Sequence, residues 1–236
     1  MFLGWIGLTT IGRAAGSQDA FPPPAAHIEN IPDGAYIIAM DKTLQGNGTN
    51  MNLKAYGLAA KLLWNDVHLK WAIRAGKAKD GIDFSASAQR VYPTAGTSAS
   101  LNFKTGPFII MPEDTAVAGP IIRAYNAALA AASRVNIYRL NSATNIDVRY
   151  TLTHKPLIGI YDDGGNANIH EENLEDAGFD PAYWRVLPTG VAIDSTSCYT
   201  FASTPHWGEK NYTDPDVILR LDNLKKFLNS GGNFFA

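Results

Sequence analysis

The chain has 236 residues, and its 20 basic and 22 acidic side chains give a formal charge of −2. At about 150 residues per domain this is one large domain or two small ones, and 46% apolar with 18% charged residues supports a packed core rather than disorder. The charge balance excludes a basic field for nucleic acid or anionic lipid, the single cysteine excludes a disulfide framework or a multi-cysteine metal site within the chain, and no apolar run reaches the roughly 18 residues that a membrane span requires.

Phe2 to Ile11 is mostly apolar, and the small residues Ala14, Ala15 and Gly16 follow it. That order matches the apolar and cleavage regions of a secretory signal, without its basic start. Secretion or display on a bacterial cell surface is therefore expected. Phe21-Pro22-Pro23-Pro24 predicts a stiff extended segment. Residues 1–32 thus read as a signal-like segment and a proline-rich linker.

Gly34 to Asp41 is a continuous apolar run ending in a carboxylate, which suits a strand buried on both faces, as in parallel sheets. Leu53, Tyr56, Ala60, Leu63, Trp64 and Val67 recur at helical spacing, and His68 to Ile73 reads as a second strand. Residues 74–102 look like a loose insertion with a short strand at Asp83 to Ala88. Pro107 to Met111 is another buried strand, followed by a helix that starts at Glu113-Asp114 and runs to about Ala132. Val135 to Leu140 and Asp147 to Thr153 complete this half. The pattern then restarts. Strands are predicted at Leu157–Tyr161, Tyr183–Leu187, Cys198–Ser203 and Asn233–Ala236. Helices are predicted from Ile169 to Ala177 and from Asp214 to Leu228, the latter burying Val217, Ile218, Leu221, Leu224 and Leu228.

Alternating strands and helices predict an α/β fold, a doubly wound, mostly parallel sheet with helices on both faces. The two halves, residues 33–145 and 146–236, have similar element order and read as two similar flavodoxin-like units.

Leu157 to Asn166, Leu174, Ala177-Gly178 and Tyr183 to Leu187, with Leu221 to Ala236, resemble the class I glutamine amidotransferase-like domains carried by some exported bacterial proteins. In that family a helix ending in Phe-x-x-x-Gly-Gly leads into the strand that bears the nucleophile elbow. Here Phe234-Phe235-Ala236 falls at that strand and no elbow residue follows in the sequence. Cys198 opens the preceding strand and is at the wrong end to replace it. The resemblance implies that residues 146–236 are an incomplete unit or that the fold is used without amidotransferase catalysis.

Ligands of open parallel sheets bind at the carboxyl ends of the strands. Four clusters are expected to converge there: Met40-Asp41, Glu113-Asp114, Asp162-Asp163-Gly164-Gly165-Asn166, and Pro205-His206-Trp207. Asp41, Glu113, Gly164, Gly165, Asn166 and Trp207 are the candidate ligand-binding residues. His206 is the candidate general base, with Asp162 or Asp163 to orient it. Each cluster also has a plain structural reading, as a capped strand-to-helix turn or as an indole packed over the sheet end. No His-x-His or His-Glu-x-x-His spacing occurs, so no metal or cofactor is expected. Two functions fit. The first is an exported, non-catalytic binding or structural module, with a carbohydrate or another protein subunit as partner. The alternative is a hydrolase of a carbohydrate or amide, working through His206 and Asp162 or Asp163.

Overall fold

The computed structural model describes residues 25–46, 50–162, 165–187, 199–205 and 211–235. Eight strands form one sheet: β1 (Ile28–Ile31), β2 (Tyr36–Ile38), β3 (Leu69–Ala72), β4 (Ile82–Tyr92), β5 (Ser98–Lys104), β6 (Phe108–Ile110), β7 (Ile137–Leu140) and β8 (Thr144–Leu152). Their order is β1-β8-β3-β6-β2-β7-β4-β5, and every pairing is antiparallel. This overturns the expected doubly wound, mostly parallel α/β fold. It also counts against the amidotransferase-like and flavodoxin-like classes expected with it.

The physical reason lies in what an apolar run reports. Tyr36–Ile38 and Phe108–Ile110 are apolar because both of their faces are covered, and covering says nothing about strand direction. Two helices, α1 (Lys54–Trp64) and α2 (Thr115–Ala127), cover one face. Leu58, Leu62, Ile122 and Tyr125 pack there on Ile38, Phe108, Ile110 and Ile137. The other face is covered by the sheet itself. Strands β4 and β8 touch, although β3, β6, β2 and β7 stand between them in the order. The sheet is therefore curled, and its concave core draws on all eight strands, Ile31, Ile37, Ala72, Phe84, Phe103, Ile109, Tyr138 and Ile146 among them. Phe84 stacks on Phe103 at 4.8 Å, and Phe103 meets Tyr138 edge-on at 5.7 Å.

Two differences from the sequence reading are local. Ile28–Ile31, read as the end of a linker, pairs with β8. The loose insertion contains the β4–β5 hairpin, the longest pairing in the molecule.

Residues 158–235 build a separate four-stranded sheet, β9 (Ile158–Tyr161), β10 (Trp184–Leu187), β11 (Phe201–Ser203) and β12 (Asn233–Phe235). Its order is β10-β9-β11-β12 and its pairings are parallel. Helix α3 (Ala167–Asp176) packs on one face through Ala167 and Leu174, and α4 (Pro215–Asn229) on the other through Leu224 and Phe227. The two halves are thus built differently, one antiparallel and one parallel. In α4 the phase differs from expectation. Val217 is buried and Leu224 packs inward as expected, but Arg220, Asn223 and Phe227 are buried beside them while Ile218 and Leu228 are exposed.

Helix α1 joins the two sheets. Its Gly57 amide donates to the Ala177 carbonyl at 3.1 Å, in the turn that ends α3. A Cβ at Gly57 would collide with the carbonyl oxygens of Ala177 and Gly178. Trp64 stacks on Tyr183 at 4.7 Å with the rings 4° apart. The Tyr125 hydroxyl lies 2.9 Å from the Lys54 carbonyl and 3.1 Å from the Gly178 carbonyl and shares its one proton between them. Gly178 has φ +76, the left-handed stop expected after α3.

At an open helical position Gly→Ala stabilises by about 1 kcal/mol. Gly57→Ala is expected to have the opposite sign, a loss of about 1–3 kcal/mol from overpacking, read as a lower urea midpoint. Burial, with Tyr183 beside it, pushes the Tyr125 phenol well above the ordinary value of 10.0. The folded state therefore keeps this proton where the unfolded chain loses it. Its contribution is fully present below the unfolded value and is lost as pH rises through the folded one. Stability should decline above about pH 10, and Tyr125→Phe should make that decline shallower. An unchanged slope would show that the other buried phenols account for it.

Candidate functional site

Strand direction decides which loops meet. In the large sheet Ile38 pairs with Phe108 and Tyr36 with Ile110. Asp41 therefore leaves β2 at the Phe108 end, and Glu113 leaves β6 at the opposite end. The expected convergence of these two clusters does not occur. Asp41 is 6% exposed. Its Oδ1 accepts the amides of Thr43 and Leu44, each at 2.9 Å, which fixes the turn after β2. Its Oδ2 is buried without a hydrogen-bond partner. Glu113 lies in a 3₁₀ turn, Pro112–Asp114, that leads into α2.

The Asp41 end of the sheet holds a cavity of about 390 Å³, lined by Asp41, Lys42, Asp80, Lys104 and Thr105 among others. Its walls are fixed by Asp83. This carboxylate accepts the Arg74 amide at 3.0 Å and the Gly106 amide at 2.9 Å, and pairs with Lys77 at 2.6 Å. The sequence reading placed Asp80 in the polar surface loop Gly76 to Gly81, with contact to a charged ligand as its second reading, and did not select Lys104 or Thr105. The register of β4 and β5, which sets Ile82 opposite Lys104, brings them to one end.

In the small sheet the parallel pairing of Ile160 with Ser203 sets the carboxyl ends of β9 and β11 side by side. Asp162 follows β9, and its amide donates to the Leu187 carbonyl at 2.9 Å. Gly165 has φ +76 with open space beside it, and Asn166 directly precedes α3. Asp162, Gly165 and Asn166 follow β9, and Thr204 follows β11, at this same edge of the sheet. Asp163, Gly164, His206 and Trp207 lie outside the described residues.

This strand end carries a pair that the sequence reading did not select. His170 Nδ1 lies 2.8 Å from Ser203 Oγ. His170 shares the inward face of α3 with Ala167 and Leu174, at helical spacing three and four. That periodicity was readable. Its partner, 33 residues away, was not. The pair opens on a cleft of about 200 Å³ walled by Ile158, Leu174, Phe201 and Phe235. Thr204 Oγ1, the next residue's hydroxyl, is buried without a hydrogen-bond partner. The arrangement is an apolar slot with polar groups at one end, the usual make-up of a small-molecule site.

No family model, curated protein or solved structure matches the chain. Among the described residues no three His, Cys, Asp or Glu side chains group to hold a metal ion, and no helix is long and apolar enough to cross a membrane.

The Asp83 network gives a direct test of the cavity walls. Asp83→Ala strands the Lys77 ammonium and two backbone amides in a buried setting. The expected loss is about 3–5 kcal/mol in chemical denaturation. A loss under about 1 kcal/mol, the range of exposed pairs, would show that water replaces the carboxylate freely.

Proposed function

We propose that the protein is an exported binding module, and that the cleft between α3 and strands β11 and β12 takes a small ligand with an apolar body and one polar end. The observation that carries this reading is the hydrogen-bonded pair of His170 and Ser203 set at an apolar cleft. Apolar walls supply affinity by excluding water, and the imidazole and hydroxyl fix the ligand's polar end. The apolar Phe2–Ile11 stretch followed by small residues supports the export part of the proposal.

A second reading rests on the same 2.8 Å contact. A serine hydroxyl within reach of an imidazole is the arrangement that activates an oxygen nucleophile. The hydrolase alternative would then run through Ser203 and His170, with Ser203 Oγ attacking an acyl carbonyl and His170 taking its proton. The burial of Ser203, 3% exposed, favours binding over attack.

Hexanoate in calorimetry and p-nitrophenyl butyrate in a turnover assay separate the two. The binding reading expects hexanoate to bind and Ser203→Ala to weaken it by about tenfold, the worth of one hydrogen bond. It expects equal ester turnover for wild type and Ser203→Ala. Turnover lost only in Ser203→Ala and His170→Ala establishes the hydrolase reading instead. Absence of hexanoate binding removes the first.

A further inference from the structure

We propose that β5, an edge strand of the large sheet, pairs antiparallel with β5 of a second copy of this chain, so that two curled sheets join edge to edge in a two-fold dimer. This surface is separate from the cleft on the small sheet and does not rest on the function proposed for it.

Strand β5 is hydrogen-bonded to β4 alone among the described residues. The phase of that pairing follows from β4's other neighbour. The Ser87 carbonyl accepts the Asn141 amide at 3.0 Å, on the β7 side. Successive strand residues direct their backbone groups to opposite sides, so those of Ala86 and Ala88 point to β5. The register sets Ala86 opposite Leu101 and Ala88 opposite Ala99. Leu101 and Ala99 therefore direct their amides and carbonyls to β4, and Ser98, Ser100 and Asn102 turn theirs outward. These three residues are exposed.

A row of outward donors and acceptors is a template for another strand, and edges are normally blunted by charge, proline, a bulge or shortness. The other sheet edges are short: β1 and β10 have four residues each, and β12 has three. Strand β5 has seven, Ser-Ala-Ser-Leu-Asn-Phe-Lys, with no proline and a charge only at Lys104. Its register with β4 is regular from Phe103 to Ser98, with no bulge to turn the edge away.

The sequence of β5 selects its own copy as the partner. Antiparallel pairing about a two-fold axis at Leu101 aligns all seven residues. Leu101, a half-buried side chain packed on the concave core, then meets its counterpart and is covered. On the same face Phe103 meets the small Ala99. On the outer face Asn102 meets Ser100, a polar pair. This register also lets Ser100 and Asn102 exchange the amides and carbonyls that they turn outward. Lys104 lies opposite Ser98, and the two Lys104 residues stand six positions, about 20 Å, apart. That exceeds the roughly 8 Å screening length, so like charges do not oppose the pairing. An unrelated strand would gain the backbone bonds without this match of size, polarity and charge.

The test is sedimentation of the full chain over a dilution series. Dimer is expected at high concentration and monomer on dilution. Ser100→Pro removes an outward amide that the fold does not use, a change an edge strand tolerates. It should raise the dissociation constant at least about tenfold, since a hydrogen bond is lost on each side of the axis, and leave the urea midpoint of the monomer unchanged. Cross-linking reads the register separately, with the single native cysteine removed as Cys198→Ser. Leu101→Cys sets two thiols across the axis within disulfide reach. Ala99→Cys sets them four positions, about 14 Å, apart. Mild oxidation should give covalent dimer from Leu101→Cys and not from Ala99→Cys, and this pair carries the test if Ser100→Pro lowers the midpoint. The proposal is overturned if the chain is monomeric at every concentration, if a normally folded Ser100→Pro dimerises like wild type, or if Leu101→Cys cross-links no more readily than Ala99→Cys.

Discussion

Arg74 and Ala75 are neighbours in the chain, yet their amides reach carboxylates on two different strands. Arg74 donates to Asp83 of β4 at 3.0 Å, and Ala75 donates to Asp147 of β8 at 2.7 Å. Those strands sit far apart in the sheet order and meet only because the sheet curls. The loop leaving β3 is therefore a clip across the seam. Both carboxylates are buried, Asp83 at 4% and Asp147 at 5% exposure, so each needs its donors supplied by protein. Asp147 takes a second amide from His27, and Asp83 takes one from Gly106 and the Lys77 ammonium. The donors come from the β3–β4 loop, from the turn before β6 and from the approach to β1. A buried ion pair adds little net stability against an apolar substitute, but it permits few alternative arrangements. The same contacts that close the concave core thus fix the loops around the Asp41 cavity.

The small sheet is tied to this frame chiefly through α1, with Tyr125 of α2 also reaching the Gly178 carbonyl. One face of α1 belongs to the core over the large sheet, through Leu58 and Leu62. Its other face carries Gly57, Lys54 and Trp64 against residues 175–183. Lys54 Nζ donates to the Glu175 carbonyl at 2.8 Å, and the Trp64 indole donates to the Pro156 carbonyl at 2.8 Å. The missing side chain at Gly57 lets the α3 turn come within hydrogen-bond distance of the α1 backbone. These contacts land on α3's carboxyl end, on Pro156 before β9 and on Tyr183 before β10. Helix α3 is also the element that presents His170 to Ser203. Its placement relative to β11 is therefore set partly by packing from the other sheet.

The sequence revealed where most strands and helices lie, because their positions depend on local apolar periodicity. It did not reveal strand direction in the first half, because Ile37 and Ile109 are buried by a curled sheet where a parallel sheet would be covered by helices. Of the β4–β5 hairpin only a short strand over Asp83 to Ala88 was legible, for a different reason. Its inward positions include Ala86 and Ala88, small residues that pack beneath large neighbours, so Ser85 to Gln89 shows little hydrophobic contrast. The phase of α4 failed because Arg220 and Asn223 occupy buried positions that apolar counting assigns to Ile218 and Leu228. Of the candidate site residues, Asp41 was legible as a carboxylate at a strand end. The closeness of Asp80 and Lys104 to it was not, since Asp80 lies in the loop before β4 and Lys104 ends β5, and pairing of those strands is what brings them together. Asp162 and Asn166 were legible because a parallel strand leads directly into a helix there. Ser203 was not, because its role depends on a histidine brought from another element.

The two sheets gather functional groups by different rules, and this explains why their cavities differ in chemistry. A parallel sheet collects all its carboxyl ends on one side, so β9 and β11 bring successive strand ends and the start of α3 together. The side chains nearest that edge are the last strand residues, which alternate between faces. Ser203 shares its face of the sheet with Phe201, and with Ile158 paired beside Phe201 at the strand starts, so the cleft runs along that face with apolar walls and a polar end. An antiparallel sheet alternates strand starts and strand ends along each edge. Its Asp41 end is therefore made of hairpin turns and loop crossings, where polar and left-handed residues are common. Charged groups of both signs gather there, and a carboxylate near the strand end is only half supplied with donors. One chain thereby carries an apolar cleft and a charged cavity, each following from the direction of the strands beneath it.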